Sequence, residues 1–117
     1  MSDLKILHNP RCSKSRQTLQ LLHDKGLKPQ IIEYLKTPVS ADELTLIIDQ
    51  LGFTSARQLM RKGEDAYKQQ NLVDQTLTEE SLISAMFGTP KLIERPIVIF
   101  NGKAVIGRPP ESVLDIL

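Results

Sequence analysis

A chain of 117 residues with 40% hydrophobic and 25% charged residues has the size and profile of an ordinary globule built round one core. Fifteen Lys+Arg against 14 Asp+Glu leave a net charge of +1, which gives no general attraction to nucleic acid or to an anionic membrane. Any anion site must be a local cluster of basic groups. No apolar run is long enough for a transmembrane helix, and the start Met1-Ser2-Asp3-Leu4-Lys5 lacks the apolar stretch of a signal peptide, so a cytoplasmic location is expected. The single cysteine, Cys12, precludes an internal disulfide. If Cys12 carries out redox chemistry, the resolving thiol has to come from another molecule.

Residues 4–8 form a short strand candidate that Asn9-Pro10 ends. From Ser13 to Lys25 the pattern becomes helical, with Leu19, Leu21 and Leu22 as its apolar face and Gly26 as the stop. Ile31-Ile32-Glu33-Tyr34 reads as a second strand. A strand, helix and strand in about 30 residues make a βαβ unit with parallel strands. Ser40-Ala41-Asp42-Glu43 is a capping box for a helix carrying Leu44, Ile47, Ile48 and Leu51 and closed by Gly52. Thr54 or Ser55 can cap a short helix with Ala56, Leu59 and Met60, and Thr78 another with Leu82, Ile83 and Met86. Lys62 to Gln75 is polar and has no clear period.

Pro96-Ile97-Val98-Ile99-Phe100 is a buried-strand run. Asn101-Gly102 signals a type I′ turn, and Lys103-Ala104-Val105-Ile106 returns antiparallel. A last helix follows Arg108-Pro109-Pro110-Glu111, with Val113, Leu114 and Leu117 expected inward. This order predicts an α/β fold, thioredoxin-like βαβ…ββα with a mixed sheet, as a single domain over 1–117 with a mainly helical insert at about 40–88. Its rival is a generic α+β domain.

Cys12 falls just past the first strand, where a helix begins. Unpaired N–H groups and the positive end of the helix dipole stabilise a thiolate there. Arg11, Lys14 and Arg16 push the same way, and Ser15 completes a Cys-x-x-Ser pattern whose hydroxyl can donate to the sulfur but cannot resolve a disulfide. A cysteine serving as an apolar filler would sit among apolar neighbours; this loop is polar and basic. Arg95-Pro96 opens the third strand, where thioredoxin-like folds place a cis-proline facing the redox cysteine. Arg108 follows Gly107 where the chain leaves the sheet, and Arg61 lies in the helical insert, one turn beyond Arg57. Each arginine alone is an ordinary surface charge. Together beside a thiolate, Arg61, Arg95 and Arg108 would make a pocket for a tetrahedral oxyanion, because guanidinium forks match such anions. His8 is a secondary candidate for orienting the loop or tuning the thiolate. No Cys/His cluster points to a metal. The sixth residue after Cys12 is Thr18, so the cysteine–arginine phosphate loop of thiol phosphatases is absent.

With these pieces in hand, the sequence resembles the glutaredoxin-coupled arsenate reductase family of the thioredoxin superfamily. The resemblance is carried by His8-Asn9-Pro10-Arg11-Cys12-Ser13-Lys14-Ser15-Arg16, Leu59-Met60-Arg61-Lys62, Glu94-Arg95-Pro96-Ile97-Val98, Gly107-Arg108-Pro109 and Val113-Leu114-Asp115-Ile116-Leu117, and spans essentially the whole chain. It implies Cys12 as nucleophile, Arg61, Arg95 and Arg108 as oxyanion ligands, and His8, Ser15 and Pro96 as supporting residues. It further implies arsenate or a similar oxyanion as substrate, glutathione as co-substrate, glutaredoxin as partner and no bound cofactor. Two other readings share the superfamily: a Spx-like adaptor that binds RNA polymerase, whose usual Cys-x-x-Cys is missing here, and a general glutathione-dependent thiol transferase. Where well-studied reductases carry Gly-Thr after the cysteine, this chain has Ser13-Lys14, which stiffens the loop and adds a charge.

Overall fold

The computed structural model describes residues 4–117. The chain divides into two compact units, one made of residues up to Thr37 together with Arg95–Leu117, the other of Pro38–Glu94.

The first unit is built on a four-stranded sheet: β1 (Lys5–Leu7), β2 (Gln30–Ile32), β3 (Ile97–Phe100) and β4 (Lys103–Ile106) in the order β2-β1-β3-β4. β1 and β2 run parallel with Ile6 opposite Ile31; β1 and β3 run antiparallel with Ile6 opposite Val98. The mixed thioredoxin-like sheet expected from the sequence is present. Asn101 and Gly102 both hold positive φ, 55° and 80°, the pair of left-handed residues that a type I′ turn requires.

The second strand is shorter and earlier than the apolar run Ile31–Tyr34. Pairing stops at Ile32, where its carbonyl takes the N–H of His8, and the next residues of the first strand's chain are Asn9 and Pro10. Glu33 then turns the chain, its carbonyl accepting from the N–H groups of both Lys36 and Thr37. Tyr34 is buried from within this turn, only 1% exposed.

Helix α1 (Ser13–Asp24) packs on the sheet with the last helix of the chain. Leu4, Ile6, Leu22, Val98 and Val113 form the buried centre, with Leu19, Leu21, Leu27, Phe100, Val105 and Ile116 packed round it. The buried stripe of α1 itself is Ser15, Thr18 and Leu22, two small polar residues and one leucine. The helix therefore approaches the sheet closely at its N-terminal end.

The last helix, Pro110–Ile116, is a 3₁₀ helix. Its three-residue period stacks every third side chain on one face. Pro110 and Val113 are buried and Ile116 half-buried, while Leu114 and Leu117 point outward at 39% and 42% exposure. The expectation that Leu114 and Leu117 face inward assumed α-helical spacing and is corrected by this tighter winding.

The second unit is the helical insert. It contains α2 (Ala41–Gln50), a 3₁₀ turn at Ala56–Leu59, α3 (Asp65–Gln69), α4 (Glu79–Gly88) and a 3₁₀ turn at Pro90–Leu92. Ser40 caps α2 by accepting from Glu43 N–H at 3.1 Å, and Thr78 caps α4 by accepting from Ser81 N–H at 3.1 Å. The reciprocal half of the Ser40 box differs from the usual one: the Glu43 carboxylate takes the Ser40 hydroxyl rather than its backbone N–H. Ser55 has the full box with Gln58. The polar stretch after Lys62 is ordered by Arg57, whose guanidinium donates to Tyr67 Oη at 2.8 Å, to the Leu72 carbonyl and to the Asp74 carbonyl at 3.0 Å. Among the described residues no helix is long and apolar enough to cross a membrane.

Two stability outcomes follow. Val113→Ala should lower the unfolding free energy by about 1–3 kcal/mol through lost burial and a cavity, whereas Leu114→Ala should stay within about 0.5 kcal/mol; chemical denaturation distinguishes the two. Thr78→Ala should cost about 1 kcal/mol, the usual loss for an N-cap, in the same measurement.

Candidate active site

The site grows from the point where β1 stops. Pro10 has no N–H to continue a ladder, and Asn9 organises the turn with three groups. Its carbonyl accepts from Cys12 N–H at 3.0 Å, its side-chain oxygen accepts from Arg11 N–H at 3.0 Å, and its own N–H donates to Ser15 Oγ at 3.0 Å. Cys12 then occupies the N-cap of α1 in extended conformation, and its carbonyl accepts the Arg16 N–H. The sulfur stands where Ser, Thr or Asp normally caps a helix. No acidic residue lies in the first turn to compete for that position.

Cys12 is 9% exposed. Burial pushes its thiol up, but the N–H of Ser15, the Arg95 guanidinium, the N–H of Lys14 and the Arg108 guanidinium outweigh it and hold the thiol below the ordinary cysteine range. Both amides belong to the first turn of α1, whose N-cap Cys12 occupies. Arg108 makes the direct contact, Nη2 donating to Sγ at 3.7 Å.

Both arginines are delivered by the same corner of the sheet. The Arg95–Pro96 peptide is cis, and so is Arg108–Pro109. Arg108 Nε donates to the Arg95 carbonyl at 2.8 Å, so the backbone that precedes Pro96 aims the guanidinium that meets the sulfur. Gly107 links the two segments, its N–H donating to the Pro96 carbonyl at 2.9 Å. After the Ser15 amide, the electrostatic help that lowers the thiol comes from Arg95 and Arg108 and not from the loop's own basic side chains. Arg16 is turned to the Pro10 carbonyl, with Nη1 donating at 3.0 Å, and Arg11 and Lys14 are exposed.

His8 is buried at the end of β1, with Nδ1 2.6 Å from Ser15 Oγ. Burial lowers its ionisation, Glu33 raises it, and Arg16 lowers it further, leaving it below the ordinary histidine range. Ser15 contributes to the sulfur through its backbone amide, while its hydroxyl is engaged by Asn9 N–H and His8. The hydroxyl-to-sulfur bond anticipated from the Cys-x-x-Ser spacing is replaced by this arrangement.

Arg61 belongs to the helical unit. It lies beyond the end of the 3₁₀ turn that carries Arg57, not one helical turn further along it, and its N–H donates to the Leu92 carbonyl at 2.7 Å. Its guanidinium pairs with Glu64 at 2.9 Å and with Glu94 at 4.0 Å. Asn9, Thr18 and Gly107 shape the site yet carry no chemistry that singles them out in a sequence. The available signals were the Asn-Pro turn, the spacing 15, 18 and 22 of the helix's buried stripe, and a glycine directly before Arg108.

The sequence profile of the ArsC family matches residues 7–116. The Escherichia coli K12 protein YfgD is 58% identical over 114 residues, covering 97% of this chain and 96% of that protein. The arsenate reductase of Haemophilus influenzae is 50% identical over 112 residues, covering 96% of this chain and 97% of that one. A solved structure of the arsenate reductase from Vibrio cholerae matches with a TM-score of 0.96 and 53% identity over 97% of each chain. On this match over nearly its whole length, the chain belongs to the ArsC family.

Proposed function

We propose that this protein reduces arsenate to arsenite, with Cys12 as nucleophile and with glutathione and glutaredoxin as the source of electrons. The observation that carries the reading is the Arg108 guanidinium 3.7 Å from a sulfur at a helix N-cap. The names borne by the relatives support arsenate as the oxyanion. Arg95 and Arg108 hold the anion's oxygens next to the thiolate. The thiolate attacks arsenic, an oxygen leaves as water after protonation, and a sulfur–arsenic(V) bond forms. Glutathione thiolate then attacks Sγ. The sulfur–arsenic electron pair goes to arsenic, which leaves as arsenite, and Cys12 remains as a mixed disulfide with glutathione. A glutaredoxin thiol attacks the glutathione sulfur and releases the Cys12 thiolate. Two electrons from thiols thus reduce one arsenic, and the external thiols provide what a chain with one cysteine lacks.

His8, Ser15 and Pro96 act as supports in this scheme: the first two hold the loop behind the sulfur, and Pro96 fixes the corner that carries Arg95. Arg61 is assigned to oxyanion binding on the family resemblance alone, with Glu64 and Glu94 holding its guanidinium. No cofactor is required.

Arsenate turnover with glutathione and glutaredoxin should vanish in Cys12→Ser; turnover indifferent to that change overturns the reading, and turnover of a glutathione mixed disulfide without arsenate turnover replaces it with a general thiol transferase. Arg95→Ala should weaken oxyanion capture by about 1–3 kcal/mol, the worth of a charge-assisted hydrogen bond, read from the half-saturation constant. Arg61→Ala should weaken capture while leaving the titration of Cys12 in place; unchanged kinetics would remove it from the site.

The acidity of Cys12 sets a pH dependence. Its folded value lies below the ordinary one, so the stabilisation from the ionised sulfur is complete above the range where the unfolded thiol titrates. That stabilisation is lost as pH falls through the folded midpoint. Alkylation by iodoacetamide should therefore rise with pH to a plateau below the range of a free cysteine, and Arg108→Ala should move that rise to higher pH.

A further inference from the structure

We propose that Gly107 is a positioning residue for the reaction: its missing side chain sets how closely the first turns of α1, and with them Cys12, lie to the corner that carries Arg95 and Arg108. The inference rests on Cys12 being the nucleophile. A Cβ placed on Gly107 would lie 2.6 Å from Thr18 Oγ1, 3.1 Å from Thr18 Cγ2 and 2.9 Å from Pro96 Cγ. The φ of Gly107 is not in the left-handed region, so the demand is for space and not for an unusual backbone.

Neither neighbour can swing aside. Thr18 is fully buried and its hydroxyl donates to the Lys14 carbonyl at 2.8 Å, which fixes its rotamer. Pro96 is buried and its side chain is a closed ring. Gly107 itself is tied to the Pro96 carbonyl, and the next residue, Arg108, is tied to the Ile106 carbonyl. A methyl group at this point presses on the corner at Pro96 and on α1 at Thr18, and the closer of these contacts, with Thr18, is relieved by moving α1 away from the corner.

That movement bears on the reacting atoms by short routes. Thr18 is on the helix that Cys12 caps, and Lys14, whose carbonyl receives its hydroxyl, presents one of the two amides that face the sulfur. On the other side, Gly107 immediately precedes Arg108, and Pro96 immediately follows Arg95. The glycine thus stands at a contact where the helix capped by Cys12 meets the neighbours of both arginines. A hydrogen bond to sulfur already 3.7 Å long weakens steeply with further separation, and displacement of about 1 Å in a reacting centre can cost about 100-fold in rate.

The test is a double-substitution cycle read without turnover, so that its failure is distinct from failure of the arsenate reading. Gly107→Ala is made in the natural chain and in Thr18→Ala, and each folded protein is followed by thiolate absorbance against pH. Protection of Cys12 from alkylation by sulfate is the second readout. In the natural chain, Gly107→Ala should raise the thiol's midpoint and weaken sulfate protection by about tenfold. In the Thr18→Ala background, where the contact with α1 is gone and only the Pro96 ring is met, the same substitution should shift both readouts clearly less than in the natural chain. A role confined to stability would lower the denaturation midpoint and leave the thiol titration unmoved, which overturns the proposal, as does an equal shift in both backgrounds. If Gly107→Ala alone does not fold, Thr18→Ala is compared with the double variant: closely matching thiol midpoints support the proposal, and widely differing midpoints overturn it.

Discussion

The structure turns on lowering the pKa of a thiol that is largely buried. Burial by itself favours the neutral thiol, and at 9% exposure Cys12 has little solvent to help it. Two backbone amides and two guanidinium groups supply the compensation, and they come from separate places in the chain. The amides exist because α1 begins at Ser13, leaving its first N–H groups without partners inside the helix. The guanidinium groups are there because β3 and β4 meet at a corner made by Arg95-Pro96 and Gly107-Arg108. The sheet order and the shortness of the buried side chains on α1 are what bring these two sources together.

Most of the first unit could be read in advance because its signals are local. The N-cap position of Cys12 follows from Asn9-Pro10 ending a strand, and the turn at Asn101-Gly102 follows from two residues that tolerate positive φ. The misjudged features depend on partners distant in sequence or on the winding of a helix. The strand at Gln30–Ile32 stops where β1 stops offering partners, which the apolar run into Tyr34 cannot reveal. A period of 3.6 puts Leu114 and Leu117 inward, whereas the 3₁₀ winding of Pro110–Ile116 selects Val113 and Ile116. The basic residues adjacent to Cys12 in sequence point to a local source of positive charge, yet Arg16 serves the Pro10 carbonyl and the guanidinium groups that lower the thiol lie 83 and 96 positions away (95 − 12 and 108 − 12).

Arg57 shows the same difficulty in the helical unit. By composition, residues 62–75 are polar and show no clear period. One guanidinium, fed by a 3₁₀ turn, gathers Tyr67, Leu72 and Asp74 and gives that loop a polar centre. Ala66, Tyr67 and Leu72 are buried as a result. Arg57 and Arg61 look interchangeable in sequence, but the first satisfies carbonyl groups and the second faces carboxylates.

The sheet's outer strands have a colloidal consequence. β2 and β4 are its two margins, three and four residues long, and β4 opens on the exposed cation Lys103. Strand margins that short, one of them marked by a lysine, offer a poor template for edge-to-edge association between molecules. On β2, where Ile31 is 45% exposed, it is the shortness of the strand that limits such pairing.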